Sequence, residues 1–288
     1  MKKIIISTET GSDMPQHLVE KYGVKVVPMH VNLGEESFLD GTIPVERVFE
    51  YFESTGKTPK TSATNIHEYL EFFTEIQKEH PDCMIYHFAY TANASSTHQN
   101  AVVAARDLED VVVIDTKEVS AGCTAHIILA YQHIQKFIEE NREDYDKLGE
   151  ELQALCHRVV CEFIPDKLDY LKAGGRVSNA QYLGATILHL KPLIEINPEG
   201  KLVTSKKYRG NMSKVSKEFI KDFLGKYDLD RECLYLMYGK GLSQEILDYM
   251  AMAAKEVGFK SYEYVMTGCV ISSHGGKGAI GLTGVLKA

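Results

Sequence analysis

The sequence of 288 residues lacks several features that would each point to a class of protein. It has no excess of positive charge, since 32 lysines and arginines stand against 40 aspartates and glutamates, for a net charge of −8 at pH 7. Nucleic-acid binding needs a basic surface, so nucleic acid is not an expected partner. No apolar run approaches the length of a membrane span, and the opening stretch Met1–Ile6 is too brief for a signal peptide. We therefore expect a cytoplasmic protein.

Cofactor and metal motifs are also missing. The six cysteines are scattered and include no Cys-x-x-Cys pair, and without an export signal they are expected to stay reduced. Cys156 and Cys161 lie on either side of His157, but this spacing fits no standard zinc site. The chain has no Walker-A loop, and the loop after the first strand, at residues 8–13, lacks a Gly-x-Gly-x-x-Gly turn. We therefore predict no metal and no cofactor.

What the sequence does contain is an ordinary globular composition, with 44% hydrophobic and 25% charged residues. In the first half, apolar runs alternate with amphipathic segments, which predicts a parallel, doubly wound sheet flanked by helices. The predicted strands are Lys3–Ser7, Val24–Val31, Met84–Tyr90 and Val111–Thr116. The predicted helices are Gln16–Tyr22, Pro44–Ser54, Asn65–Glu79, Thr97–Ala105 and Ser120–Glu140.

The charged stretch Glu139–Glu151 indicates a boundary, after which the pattern is typical of an α+β domain. Strands are predicted at Cys156–Phe163, Leu202–Arg209, Leu234–Tyr238, Tyr262–Thr267 and Ala279–Leu286, and helices at Ser213–Tyr227 and Ser243–Val257. We therefore expect two domains, residues 1–155 and 156–288. They should face each other across a cleft, which is a usual place for a ligand.

Three loops gather small hydrogen-bond donors: Lys60–Asn65, Thr91–Thr97 and Ser272–Ala279. The second loop runs from a buried strand into a helix, where free N–H groups and hydroxyls of α/β proteins hold anions. Taken alone, its serines favour simple helix capping over a ligand site. The third loop is rich in glycine, which lets backbone approach a ligand closely, but taken alone this loop favours a hairpin turn. His274 by itself is more typical of a structural polar residue than of a catalytic one.

Taken together, the three loops resemble the DegV family. The resemblance is carried by Thr61-Ser62 before a helix, by Ser95 and Thr97 in the second loop, and by the pattern His274-x-Gly-x-Gly-Ala-x-Gly. Further motifs agree in order along the whole chain: Thr8-x-x-x-Ser12-Asp13-Met14-Pro15, Gly174-Gly175-Arg176-Val177-Ser178 and Leu190-Lys191-Pro192.

This resemblance implies a two-domain DegV-like fold, with an N-terminal parallel-sheet α/β domain, a C-terminal α+β domain and a lipid tunnel between them. It implies a carrier rather than an enzyme, which binds a long-chain fatty acid and presents the carboxylate to a fatty acid kinase. By position, Thr61 and Ser95 would donate hydrogen bonds to the carboxylate and His274 would close over it. Ser62, Ser96, Gly275 and Gly276 would support them, and Arg176 would face the partner or hold its own loop.

Two other functions compete with the carrier at the level of sequence. A Ser/His acyl hydrolase would use Ser95 as nucleophile, His274 as base and Asp115 to orient the base, although the chain has no Gly-x-Ser-x-Gly elbow. A nucleotide-binding phosphotransferase is disfavoured, because the first loop lacks Gly-x-Gly-x-x-Gly and the chain has no Walker-A loop.

Overall fold

The computed structural model describes residues 1–166, 170, 171, 175 and 190–288. The strands in these residues are β1 (Lys3–Glu9), β2 (Lys25–Val27), β3 (His30–Leu33), β4 (Glu36–Leu39), β5 (Lys60–Ser62), β6 (Cys83–Ala89), β7 (Val111–Asp115), β8 (Val159–Ile164), β9 (Leu190–Ile196), β10 (Leu202–Arg209), β11 (Cys233–Tyr238), β12 (Ser261–Met266) and β13 (Ile280–Val285). The helices are α1 (Gln16–Tyr22), α2 (Glu46–Thr55), α3 (Ile66–Glu79), α4 (Thr97–Ala105), α5 (Ala121–Glu139), α6 (Tyr145–Ala154), α7 (Met212–Lys226), α8 (Gln244–Glu256) and α9 (Cys269–Gly275).

The first half forms a parallel sheet in the order β2-β1-β6-β7, which confirms the predicted α/β architecture. β6 is buried along its whole length because it is a central strand covered on both faces. Helices α3 and α4 pack on one face through Tyr69, Phe73 and Ala101. Helices α5 and α6 pack on the other through residues such as Phe137 and Leu148.

A second, smaller sheet was not predicted. The expected single strand Val24–Val31 is wrong: β2 ends at Val27 and β3 begins at His30. Pro28 lies at the break, where its missing N–H cannot continue the strand pairing. β3 pairs with β4 and β5 in an antiparallel sheet, so the presumed loop before α3 contains a strand. This small sheet and α2 share a core that includes Val31 and Phe49.

The second half forms a six-stranded mixed sheet in the order β10-β9-β8-β13-β11-β12. Alternate residues of its strands face opposite layers. Leu236 and Leu282 pack with α7 and α8, whereas Tyr235 and Met237 belong to the core that includes residues of α5. Helix α5 therefore lies between the two large sheets. The predicted α+β character of this half is confirmed.

One segment predicted as a boundary and one predicted as a loop are partly helical. The charged stretch at residues 139–151 contains most of α6. This segment is helical because Leu148 and Leu152, four residues apart, bury one face of it. The glycine-rich loop at residues 272–279 begins inside α9, which ends at Gly275, and Gly276 and Gly278 follow the helix. Across residues 1–166 and 190–288, no helix combines the length and apolar character needed to cross a bilayer.

Candidate functional site

A cavity of about 250 Å³ lies where the small sheet, the start of α4, α5 and α9 meet the second large sheet. Much of its wall is apolar, with Phe163, Leu171, Leu202 and Met237 contributed by the second half of the chain. Binding of a hydrocarbon ligand against such a surface is favourable, because it removes apolar surface from water.

The predicted polar residues converge on this cavity. Residues 61 and 62 reach it from β5, residues 95 and 96 from the turn before α4, and residues 274 and 275 from the end of α9. Thr61 Oγ1 lies 2.8 Å from His274 Nε2, although the two residues are 213 positions apart in the chain. Ser95 Oγ lies 2.6 Å from Thr97 Oγ1 and accepts a hydrogen bond from Thr97 N at 3.2 Å. The structure therefore brings the three loops together.

Two of the predicted residues differ from the others in placement. Gly276 does not belong to the described cavity wall. It has a φ of 76°, and a Cβ there would lie 2.8 Å from Tyr170 Cδ2, so the position needs glycine for the turn after α9. Arg176, predicted to face a partner or to hold its own loop, lies outside the described residues.

The first two loops are fixed by side chains in and next to them. Asn65 caps α3 by accepting a hydrogen bond from Glu68 N at 3.0 Å, and Glu68 accepts one from Asn65 N, which completes a capping box. Thr64 donates to Pro28 O, and Asn100 Nδ2 donates to Thr64 O, both at 2.8 Å. The last bond ties the first loop to α4, which begins at the end of the second loop.

The second loop is also tied to the second sheet. Thr91 Oγ1 donates to Gly200 O at 2.8 Å, and Asn93 Nδ2 donates to Glu199 O at 2.6 Å. Both carbonyls belong to the turn between β9 and β10. This turn therefore holds the loop that presents Ser95.

Two carboxylates of the first half hold α9 in place. Asp13 Oδ1 accepts a hydrogen bond from Gly268 N at 2.7 Å, and Asp40 Oδ1 accepts one from Cys269 N at 3.0 Å. Burial raises the pKa of both carboxyl groups. Asp13 also accepts a hydrogen bond from the Ser120 hydroxyl. These bonds join the helix that carries His274 to the first half of the chain.

Ser120 is a site residue that sequence reasoning missed. It lines the cavity and has a φ of 47°, which is uncommon for a residue with a side chain. Its N–H donates to Gly11 O at 3.1 Å, and its hydroxyl donates to Asp13. The available signal was Asp13, the hydrogen-bond partner of Ser120. The Ser12-Asp13 pair was used for the family resemblance but was not assigned to the site.

A buried polar cluster lies beneath Tyr90, another residue of the cavity wall. Glu9 Oε1 accepts hydrogen bonds from the Tyr69 hydroxyl and from His87 Nε2, the latter at 2.8 Å, and Glu9 Oε2 accepts one from Tyr90 N at 2.9 Å. Burial alone would raise the pKa of Glu9, but the charge of His87 and these hydrogen bonds outweigh it and lower the pKa. The cluster fixes the backbone of Tyr90 at the end of β6.

The hydrolase triad is not assembled. Asp115 Oδ1 accepts hydrogen bonds from Lys117 N at 3.0 Å and from Ala92 N at 3.3 Å. This carboxylate therefore supports the backbone of the second loop, and His274 Nε2 is paired with Thr61 instead of Ser95. A nucleophile–base–orienter chain requires successive hydrogen bonds that this arrangement does not provide. Among the residues that the structure describes, no group of three or more His, Cys, Asp or Glu side chains is placed to hold a metal.

Comparison with known proteins agrees with this architecture. A family model described as an uncharacterised protein of the DegV family matches residues 3–287. A DegV domain-containing protein from Caldanaerobacter subterraneus subsp. tengcongensis is 28% identical over 289 residues, covering 98% of each chain.

Solved structures share the fold. A DegV family protein from Thermus thermophilus, whose structure describes fatty acid binding, matches with a TM-score of 0.85 and 25% identity over 100% of both chains. DegV from Bacillus subtilis, a fatty acid binding protein, matches with a TM-score of 0.80 and 19% identity over 100% of both chains. The match of the family model over nearly the whole length is decisive, and the chain belongs to the DegV family.

Proposed function

We propose that this protein binds a long-chain fatty acid in the cavity and presents its carboxylate to a partner kinase. In this proposal Thr61, Ser95 and His274 hold the carboxylate, and the tail lies against the apolar wall. The observation that carries the proposal is the convergence of three separate loops at an apolar cavity, with Thr61 Oγ1 and His274 Nε2 2.8 Å apart. The fatty acid binding described for the Thermus thermophilus relative supports it.

The two ends of such a ligand have different energetic roles. Burying a tail of about 14 methylenes gains roughly 0.8 kcal/mol for each, or about 11 kcal/mol before the costs of association. A hydrogen bond to a charged carboxylate adds about 1.5–3 kcal/mol. The tail therefore supplies most of the affinity, and the hydroxyl groups fix where the carboxylate lies.

The donor set also supports the carrier role. The described cavity wall includes no lysine and no arginine. A carboxylate held by hydroxyl groups and an imidazole stays a better nucleophile than one neutralised by a guanidinium group, because an ion pair stabilises its charge. A phosphoryl group could then be transferred to a carboxylate oxygen, with the bond from the γ-phosphorus to ADP breaking. Mutation of the site tests binding, and a kinase assay tests presentation.

The binding test uses the protein as purified. Native mass spectrometry should show a bound species with the mass of a fatty acid. Ser95→Ala should weaken binding by about 1–3 kcal/mol, a rise of about 5- to 150-fold in Kd. Ser54→Ala is the matched control, because Ser54 is exposed on α2. An unchanged Kd for Ser95→Ala would remove this serine from the site, and purified protein that neither contains nor takes up an acid would contradict the function.

The presentation test adds a bacterial fatty acid kinase and ATP. Protein loaded with an acid should yield acyl phosphate and ADP, whereas the same acid without the protein should yield neither. If loaded protein binds its acid normally and gives no product, the kinase step is wrong and the binding function stands.

A further inference from the structure

Strand β13 and its two neighbouring strands form part of the cavity wall beyond the polar end. Ala279, just before β13 and four residues after Gly275, lines the cavity. Gly281 is the next residue on the same face, about 7 Å further along the strand. In the sheet register Gly281 lies between Phe163 of β8 and Met237 of β11. Both neighbours line the cavity, so this row forms part of its wall.

The next row of β13 lies outside the described cavity wall. Thr283 lies between Cys161 of β8 and Tyr235 of β11. All three residues are buried, and in the described part of the chain none of them reaches the cavity surface. A ligand that enters at the hydroxyl groups and extends along β13 therefore meets Phe163 and Met237 last.

Gly281 leaves a recess that Met237 occupies. A Cβ at position 281 would overlap Met237 Cε and would lie 3.1 Å from Phe163 Cβ. The methyl group of Met237 thus fills the space that a side chain at 281 would take. A methionine side chain is unbranched and has three rotatable bonds, so it can leave or fill such a recess at little cost.

We propose that Met237, seated over Gly281, sets the length of the acyl chain that the cavity accepts. This inference rests on the proposed fatty acid binding and adds which acids are preferred. Met237→Ala removes three heavy atoms at the end of the cavity, which is the space of about three methylenes. Gly281→Ala displaces the methyl group of Met237 toward the ligand and shortens the cavity.

The test measures Kd for a series of saturated acids of about 12 to 20 carbons, at one pH and temperature. Met237→Ala should move the best-bound length upward by about two to three carbons, because each further buried methylene improves binding about fourfold until the cavity is full. Gly281→Ala should move it downward, and the double variant should return toward the wild-type length. Met250→Ala is the control, since Met250 of α8 is fully buried in the core that α7 and α8 share, away from the cavity.

Gly281→Ala can disturb the sheet, because a Cβ at position 281 would also lie 3.0 Å from Glu162 O. The result for Met237→Ala therefore decides the outcome. If wild type binds acids and Met237→Ala keeps the same preferred length, the inference is wrong and the proposed function is untouched. An equal shift in Met250→Ala would also overturn it, since the shift would then reflect general loosening. If the wild-type protein binds no acid of the series, the proposed function fails, and the inference fails with it.

Discussion

The buried carboxylate of Glu9 gives the sharpest prediction about stability. Glu9 and His87 have 1% and 0% of their surface exposed, and Glu9 accepts hydrogen bonds from His87, Tyr69 and Tyr90. The substitution Glu9→Gln keeps the shape but replaces one acceptor oxygen by a donor. Tyr90 N can only donate, so the new amide must keep its oxygen on that side, and the Tyr69 hydroxyl and the His87 ring must then turn from donors into acceptors.

The expected magnitude follows from this loss of pairing. Replacing the carboxylate by a neutral amide takes the charge out of buried hydrogen bonds that are each worth about 1.5–3 kcal/mol. This is a large fraction of the 5–15 kcal/mol that is typical for the whole fold. The matched control is Glu79→Gln, whose carboxylate pairs with Lys25 at 2.6 Å but is half exposed. Such a pair contributes about 0–1 kcal/mol.

The assay is urea-induced unfolding of wild type and both variants at pH 7. The reasoning would be refuted if Glu9→Gln lowered the unfolding free energy by less than about 1 kcal/mol, as little as the control does. The pH dependence gives a second check. Since the pKa of Glu9 is lowered in the folded protein, its contribution is present above the unfolded pKa and is lost as the pH falls through the folded pKa. The difference in unfolding free energy between wild type and Glu9→Gln should therefore narrow in acid.

Three further substitutions test other parts of the structure. Asn65→Ala removes the cap of α3 and should lower the unfolding free energy by about 1 kcal/mol in urea titrations. Gly276→Ala places a Cβ against Tyr170 at a φ of 76° and a ψ of 177°, so its cost should exceed about 1 kcal/mol and thermal unfolding should shift downward; an unchanged midpoint would contradict the strain. Lys226→Met removes the 2.7 Å ion pair of the buried Glu162 and should lower the unfolding free energy. The decrease should be larger at pH 8 than at pH 5, because burial raises the pKa of Glu162 and its carboxyl group is more easily neutralised in acid.

Local patterns were sufficient where an element obeys one period along its own length. Helix α1 and strand β10 have the predicted bounds, and most other predicted elements agree within a few residues. Such segments are readable because burial on one face repeats every 3.6 or 2 residues. The small sheet was missed because β3, β4 and β5 have three or four residues each, too few for a period to show. Strand β9 contains Pro192, which weakens the signal of a strand.

The sequence by itself determined the α/β class of the first half, the mixed character of the second and the small donors at residues 61, 95 and 274. A hydroxyl or an imidazole is a property of one residue, and hydrophobic periodicity is a property of a short segment. Only the tertiary structure decided that the N-terminal end of α9 donates hydrogen bonds to Asp13 and Asp40 of the first half. These bonds place His274 next to Thr61. It also decided that Met237 lies over Gly281 in the cavity wall. Contacts of this kind join residues that are far apart in the chain, so no local pattern encodes them.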